Sequence, residues 1–244
     1  MIKIFTDEED IWRRIWNETD VREYNKVNLG DALTKTLLRY LSKEWKILEA
    51  GCGTGKWVLF LNKMGYHVEG IDNEKMVIRK LKGMYKNIPV KIGDVKRLEY
   101  PDNSLDAYVS IGVVEHFEEG PVRVLKEAYR VLKKDGVIIL SVPYESLIQR
   151  IVCKIRKREI LKGKIFHQYY FSKEEILNFM KETGFRDFNI RFYDKFSFIR
   201  RRGVVKHIRK KGGSKPVSKT LVKKIFSLAP NFMTAHMILI VGKK

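Results

Sequence analysis

Three glycines stand within five residues, behind a short apolar run, in the stretch ILEAGCGTGKW at residues 47–57. Glycine inside regular structure costs stability, so three together indicate a turn whose backbone is closely approached. An apolar strand, a glycine turn and a helix form a unit that aims backbone amides at a bound ligand. Many nucleotide-binding folds share this turn, and a tight turn without a ligand is the alternative.

Carboxylates after the next two apolar runs narrow the choice of ligand. Asp72 ends an apolar run 21 residues after Gly51, where it can accept both hydroxyls of a ribose or cap the following helix. Asp94 can accept the exocyclic amine of adenine, although Asp94 and Asp106 are also common turn residues. The glycine spacing is GxGxG, whereas the dinucleotide fingerprint has two residues before its last glycine.

Short apolar runs alternate with charged helical stretches around these residues, which is typical of a mostly parallel sheet covered by helices on both faces. The predicted strands are 46–50, 67–71, 89–92, 106–111, 137–142, 186–192 and 236–242. The predicted helices between them are 56–64, 74–86, 120–133 and 173–183. Ahead of the first strand, the apolar spacing over 8–43 predicts two or three helices.

Six motifs together resemble a known family. They are LEAGCGTG (48–55), VEGID (68–72), GDV (93–95), PDNSLDAYVSIGVVEHF (101–117), AYRVLKKDGVIILSVP (128–143) and FSKEEILNFMKETGF (171–185). In order and spacing over 45–195, the chain resembles the class I S-adenosylmethionine-dependent methyltransferases, specifically the small-molecule group called type 11. The resemblance implies an α/β Rossmann-like sheet of order 3-2-1-4-5-7-6 with its last strand antiparallel. It implies one domain over 1–244, with a helical cap at 1–44 and basic insertions at 144–170 and 195–234.

The resemblance also implies S-adenosylmethionine as the cofactor. Its methionine part would lie against the glycine turn, its ribose against Asp72 and its adenine against Asp94. Glu49 would support the turn and the ammonium end of the cofactor. The full set expected to bind the cofactor is Glu49, Gly51, Cys52, Gly53, Gly55, Asp72, Asn73, Asp94, Val95, Ser110 and Ile111.

Two histidines are the candidate catalytic residues. Methyl transfer from a sulfonium needs chiefly alignment, and a general base helps only when the acceptor carries a proton. His116 follows the fourth strand in a Glu-His pair that the family often has, and His167 precedes the helix that begins after Ser172. A purely structural role is the alternative for each. Cys52 has no local base, and no residue spacing predicts a metal site.

Positive charge is concentrated in two segments of the chain. The formal net charge is +20, of which 145–170 carries +5 and 195–244 carries +14 without a carboxylate. This concentration favours an anionic partner over an ordinary solvated face. Residues 147–158 and 221–226 also read as basic amphipathic helices, which suit an anionic lipid surface or nucleic-acid phosphate. Helices that simply pack on the domain are the alternative.

The leading hypothesis is therefore a methyltransferase acting at oxygen on a small or lipid-like acceptor. The alternatives are a methyltransferase acting on RNA or an RNA-bound protein, a non-catalytic S-adenosylmethionine-binding protein and, more remotely, a nicotinamide reductase. No run of 18 apolar residues occurs, and the N-terminus turns acidic where a signal peptide needs apolar residues. We expect a cytoplasmic protein, peripheral at the membrane if the acceptor is a lipid.

Overall fold

The computed structural model describes residues 1–6, 11–155, 165–194 and 230–244. The first half of the chain forms β1 (Ile2–Thr6), α1 (Ile11–Glu18), α2 (Val21–Tyr24), α3 (Ala32–Tyr40), β2 (Lys46–Ala50), α4 (Lys56–Lys63), β3 (His67–Asp72), α5 (Lys75–Met84), β4 (Val90–Ile92) and β5 (Leu105–Ile111). The second half forms a 3₁₀ turn (Val114–His116), α6 (Val122–Val131), β6 (Leu132–Pro143), α7 (Leu147–Ile155), β7 (Ile165–Tyr170), α8 (Lys173–Thr183), β8 (Arg186–Tyr193), α9 (Asn231–Thr234) and β9 (Met237–Lys243).

Seven of these strands form one sheet in the order β4-β3-β2-β5-β6-β9-β8. Counted along the chain within the sheet, this is 3-2-1-4-5-7-6, the order that the resemblance implies. Strand β9 runs antiparallel to both of its neighbours, and the other pairings are parallel. The order reverses between β2 and β5. In open α/β sheets, ligands bind at the carboxyl ends of the strands beside such a reversal.

Helices cover both faces of the sheet, as predicted. On one face, α6 and α8 bury Leu125, Ile176 and Met180 against the strands. On the other face, α3, α4 and α5 contribute a second cluster that includes Leu37 and Leu81. Burial of such side chains stabilises each helix by about 1.5–3 kcal/mol per residue, which holds the strand ends in place.

The strand boundaries agree with the prediction to within a residue or so, except in β6. This strand begins at Leu132, five residues before the predicted start, and α6 ends at Val131. The extra length is taken up by an irregular pairing, because Leu105 pairs with Leu132 while Ala107 pairs with Val137. Asp135 adopts a positive φ of 61° in this irregular stretch.

The predicted helical cap at 1–44 is wrong in its first residues. Residues 2–6 form a strand that pairs antiparallel with Ile165–Tyr170, so the start of the chain and the insertion after β6 make a small second sheet. The pairing joins segments about 160 residues apart, and neither segment shows its partner in its own pattern. Helices α1, α2 and α3 do lie within 8–43, as predicted.

Some predictions fall on residues that the structure does not describe. The amphipathic helix predicted at 147–158 is present over Leu147–Ile155, and its last residues lie outside the described chain. The basic helix at 221–226 and most of the insertion at 195–234 lie outside it as well. Within the described ranges, every helix is too short or too polar to cross a bilayer.

Candidate active site

A cleft of about 1040 Å³ lies where β2, β3, β4 and β5 end. Most of the residues predicted for the site line it: Glu49, Gly51, Cys52, Gly53, Asp72, Asn73, Asp94, Val95, Ile111, His116 and His167. Gly55 and Ser110 do not. The cleft is therefore a single space that holds both the residues predicted for the cofactor and the two predicted catalytic histidines.

The glycine turn is shaped by its backbone and by one neighbouring side chain. Gly51 and Gly53 have positive φ values of 80° and 49°, which other residues adopt only with strain. A Cβ atom on Gly51 would lie 2.4 Å from Cγ2 of Val113. The amides of Gly51 and Cys52 both donate to the carbonyl of Ile71 at 2.8 Å. The turn is thus fastened to β3 and leaves no room for a side chain at position 51.

Gly55 and Ser110 are placed behind the cleft surface. Gly55 is the N-cap of α4, and a Cβ there would lie 3.2 Å from Leu81 and 3.3 Å from Ile88. The third glycine therefore serves core packing. Ser110 is fully buried, and its hydroxyl has no hydrogen-bond partner among the described residues. Neither residue lines the cleft, and their predicted contacts with the cofactor stay predictions.

Glu49 supports the turn from below. Its Oε2 accepts the amide of Val58 at 2.9 Å, so it caps the helix that Gly55, without a side chain, cannot cap. Burial raises the pKa of the Glu49 carboxyl to about 8, and nearby Asp72 adds to the effect. A bound cation such as an ammonium group would favour the ionised form of Glu49.

Asp72 links the end of β3 to the glycine turn. Its Oδ2 accepts the amide of Gly53 at 2.8 Å, and its Oδ1 accepts the amide of Glu74 at 2.9 Å. The side chain that caps α5 is that of Glu74. Asp72 is therefore not the N-cap of this helix, and it connects β3 to the glycine turn instead. Burial raises the pKa of Asp72, and the two amides partly oppose the rise. Each carboxylate oxygen retains a second lone pair for a ligand hydroxyl.

Asp94 and Asp106 have different roles in the structure. Asp94 lines the cleft, and its Oδ1 accepts the amide of Lys96 at 2.8 Å, so it also shapes its own turn. Asp106 lies near the start of β5, where it accepts the amide of Lys46 and forms an ion pair with Lys133 at 2.7 Å. Asp106 therefore helps to hold the opposite end of the sheet.

His116 has a defined tautomer. Its Nδ1 lies 2.8 Å from the carbonyl oxygen of His167. A carbonyl oxygen only accepts, so Nδ1 carries the proton and the neutral ring has its lone pair on Nε2. The indole of Trp12 packs edge-on at 4.7 Å between ring centroids, and the His167 ring lies at 5.3 Å. Burial lowers the pKa of His116 to about 4, so the ring is neutral at neutral pH.

Glu115 is a site residue that the sequence analysis did not select. It is buried and lines the cleft, and its Oε1 lies 3.8 Å from Nε2 of His116. Within the described part of the chain, its Oε2 is buried without a hydrogen-bond partner. Burial raises the pKa of Glu115 to about 8. The signal available in the sequence was a carboxylate four residues after a predicted buried strand, next to a histidine already chosen as a candidate.

The wall of the cleft around His116 is completed by residues from segments that are distant along the chain. Trp12 comes from α1, Gln168 from β7, Tyr193 from the end of β8 and His236 from the turn before β9. The hydroxyl groups of Tyr193 and Ser141 are 2.7 Å apart, and burial raises the pKa of Tyr193. Among the described residues, no three His, Cys, Asp or Glu side chains are grouped as metal ligands would be.

Part of the chain that forms this cleft matches a known protein family. Residues 48–140 match the family described as "Methyltransferase domain". A probable S-adenosylmethionine-dependent methyltransferase of Mycolicibacterium smegmatis is 30% identical over 97 residues, covering 40% of this chain and 37% of its own length. Demethylmenaquinone methyltransferase of Staphylococcus saprophyticus is 37% identical over 101 residues, covering 38% of this chain and 42% of its own. The chain thus spans less than half the length of these relatives.

Solved structures agree on the fold. A SAM-dependent methyltransferase from Archaeoglobus fulgidus superposes with a TM-score of 0.63 at 20% identity, covering 97% of this chain and 100% of the other. Residues 48–140 thus match a methyltransferase family, and S-adenosylmethionine-dependent methyltransferases are among the relatives of the chain. The cofactor named in those relatives is S-adenosylmethionine. The cleft has features that fit this cofactor: glycines at positions 51 and 53, where no side chain stands, and the carboxylates of Asp72 and Asp94 in its wall.

Proposed function

We propose that the protein transfers a methyl group from S-adenosylmethionine to a protonated oxygen of a small, largely apolar acceptor bound beside His116. The observation that carries this proposal is the neutral His116 ring at the cleft, whose Nδ1 is committed to the His167 carbonyl. A fixed Nε2 acceptor suits an acceptor that must lose a proton.

The roles of the residues follow from the contacts described above. Bound S-adenosylmethionine supplies a methyl group on a sulfonium, whose leaving group needs no activation. The glycine turn and Asp72 hold one half of the cleft in shape, and the tie between Asp72 and Gly53 keeps that half rigid. Alignment of donor and acceptor is the main contribution to the rate.

His116 receives the proton that leaves the acceptor oxygen. The imidazolium formed on Nε2 lies 3.8 Å from Oε1 of Glu115, where an ionised carboxylate stabilises it. Because the pKa of Glu115 is raised to about 8, the carboxylate form increases as the pH rises through that value. We therefore propose that turnover increases between pH 7 and 9 and that Glu115→Gln removes this increase.

The half of the cleft that surrounds His116, which we call the acceptor half, favours an aromatic or alkylated molecule. Trp12, Tyr24, Phe117 and Tyr193 line the cleft together with Ile15 and Pro143. Such walls bind flat apolar groups by packing and leave orientation to a few polar atoms. One of the relatives above is named for a quinone acceptor, demethylmenaquinone; this name supports the class of acceptor and not the choice of oxygen, which depends on His116. An alkylated hydroquinone is therefore the acceptor class that we propose to test first.

The test uses methyl-labelled S-adenosylmethionine with two probes, a short-chain alkyl 1,4-hydroquinone and an alkylamine of equal chain length. We expect label on the phenolic oxygen and not on the amine. In His116→Ala, turnover should fall about 10²–10⁴-fold, while calorimetry should show S-adenosylhomocysteine binding within about twofold of wild type. His67→Ala is the matched control, since His67 is exposed at the start of β3, at the end of that strand remote from the cleft.

Three results would overturn the proposal. If the protein does not bind S-adenosylhomocysteine, S-adenosylmethionine is not its cofactor. If the label is found on the amine or on a ring carbon, oxygen is not the methylated atom. If turnover is equal in His116→Ala and His67→Ala, His116 is not the base.

A further inference from the structure

Helix α7 exposes a face that is unusual for a packed helix. Leu147, Arg150, Ile151 and Lys154 follow the i, i+3, i+4, i+7 spacing of one helix face, and all four are exposed. Leu147 and Ile151 each keep 48% of their surface accessible. The buried side carries Gln149, whose amide donates to Cys153 Sγ at 3.7 Å. Two large apolar side chains thus point outward on this helix, between two basic ones, while the polar amide of Gln149 is buried.

Helix α9 adds a third exposed apolar residue next to this face. It packs against α7, and its Phe232 is 54% exposed. We call Leu147, Arg150, Ile151, Lys154 and Phe232 the basic-apolar face. Large aliphatic and aromatic side chains grouped on a surface in this way mark a contact site.

The charge of the adjoining sequence indicates what the face contacts. Segments 156–164 and 195–229, which join α7 and α9 to the rest of the chain, hold 17 basic residues and one acidic residue. Phosphate groups of either a nucleic acid or a lipid would suit that charge. Exposed Leu147, Ile151 and Phe232 favour the lipid, because a bilayer also takes up apolar side chains at its headgroup boundary.

We propose that the basic-apolar face docks on an anionic lipid bilayer. Leu147, Ile151 and Phe232 enter the boundary between headgroups and acyl chains, and Lys154 lies among the phosphates. Arg150 contributes less charge, since it is paired with Glu145 at 2.8 Å. This docking does not depend on the methyl-transfer reaction.

The position of the face relates the bilayer to the cleft. Helix α7 begins four residues after Pro143, which lines the cleft, and α9 ends two residues before His236, which also lines it. These links keep the first residue of α7 and the last residue of α9 within roughly 15 Å of the cleft wall. Docking would therefore hold the acceptor half of the cleft close to apolar molecules dissolved in the membrane.

The experiment is co-sedimentation with phosphatidylcholine vesicles that contain or lack phosphatidylserine, at low and physiological salt. We expect binding to the anionic vesicles, weakened by salt, and little binding to the neutral ones. The triple variant Leu147→Ser, Ile151→Ser, Phe232→Ser should bind anionic vesicles at least about tenfold more weakly. A matched control replaces three other exposed apolar residues, Leu29, Met64 and Met84, with serine and should bind as wild type.

A second variant guards against misfolding of the first. Lys154→Glu leaves the apolar residues intact and should weaken vesicle binding about tenfold or more. Unfolding midpoints of all variants identify any that do not fold. Unchanged vesicle binding in both the triple variant and Lys154→Glu would overturn the proposal.

Three further outcomes would separate this proposal from its alternatives. Equal binding to neutral and anionic vesicles would refute the charge contribution. Binding to a duplex RNA that displaces the vesicles, with the serine variant unaffected, would assign the face to nucleic acid. If the wild-type protein binds vesicles but does not bind S-adenosylhomocysteine, the methyl-transfer proposal is refuted and the docking proposal is not.

Discussion

The two halves of the cleft are built in different ways. The half that we propose for the cofactor, called the cofactor half, uses residues 49–95, which lie at the ends of neighbouring parallel strands and are tied together by backbone amides. The acceptor half uses side chains from α1, the 3₁₀ turn, β7, β8 and the turn before β9. One half is a local backbone framework, and the other is a set of side chains brought together by the fold.

The halves also differ in how their ionisable groups are held. Asp72 receives two backbone amides, which support the charged form although burial opposes it. Glu115 has one oxygen without a hydrogen-bond partner among the described residues, and His116 is neutral because it is buried. A framework of amides tolerates few changes, whereas packed side chains can be exchanged to suit another acceptor. This contrast explains how one cofactor site can serve different acceptors.

The largest expected effect tests the cofactor half. Asp72→Ala removes a carboxylate that accepts two backbone amides and, in our proposal, the ribose hydroxyls. We expect the affinity for S-adenosylhomocysteine to fall about 100-fold, measured by calorimetry, because hydrogen bonds to a charged group are worth about 1.5–3 kcal/mol. Asp106→Ala, at the opposite end of the sheet, is the matched control and should bind normally. Wild-type affinity in Asp72→Ala would contradict the assignment of this half.

The next effect concerns the buried carboxyl of the acceptor half. The ordinary pKa of Glu115 is 4.5, and burial raises it to about 8 in the folded protein. Between these values the folded state retains a proton that the unfolded state has lost. The free energy of unfolding therefore falls as pH rises, by at most about 1.4 kcal/mol per pH unit.

Glu115→Gln has no proton to lose, so its stability relative to wild type should increase steadily from about pH 5 to pH 8. Denaturant unfolding at several pH values measures the difference. Glu118→Gln is the control, because that side chain is 59% exposed and should show no such trend. A constant difference across this range would show that Glu115 is ionised throughout.

A smaller effect is visible in the imidazole of His116. Nitrogen chemical shifts should show the Nδ1-protonated neutral ring down to about pH 4, because burial disfavours the imidazolium. His116 titrating near 6.5 would mean that the acceptor half admits water freely. It would also remove the argument for a fixed Nε2 lone pair.

The smallest expected effect comes from the aromatic wall. Trp12→Ala removes the ring that packs against His116 and should raise the His116 pKa toward its ordinary value by admitting water. Affinity for the hydroquinone probe should fall by about 0.5–1.5 kcal/mol, whereas affinity for S-adenosylhomocysteine should not change. A loss of cofactor affinity equal to the loss of probe affinity would show that the two halves are not independent.

The agreement between sequence and structure differs between the same two halves. Strands β2 to β5 and the helices between them lie close to their predicted positions, because period and turn residues are local signals. The pairing of β1 with β7 was missed because neither segment marks its distant partner. Gly55 and Ser110 were predicted to bind the cofactor because they match positions of the family's motifs; neither residue lines the cleft, so their contact with the cofactor stays a prediction.

The sequence alone indicated the resemblance to methyltransferases, the sheet and the carboxylates and glycines of the cofactor half, since these lie close together along the chain at spacings set by parallel strands. Only the tertiary structure decided what surrounds His116. The Trp12 ring, the Glu115 carboxyl and the His167 carbonyl come from separate segments, and their contacts and burial fix the tautomer and pKa of His116. Tautomer and pKa depend on distances across the fold, and a pattern along the chain does not contain those distances.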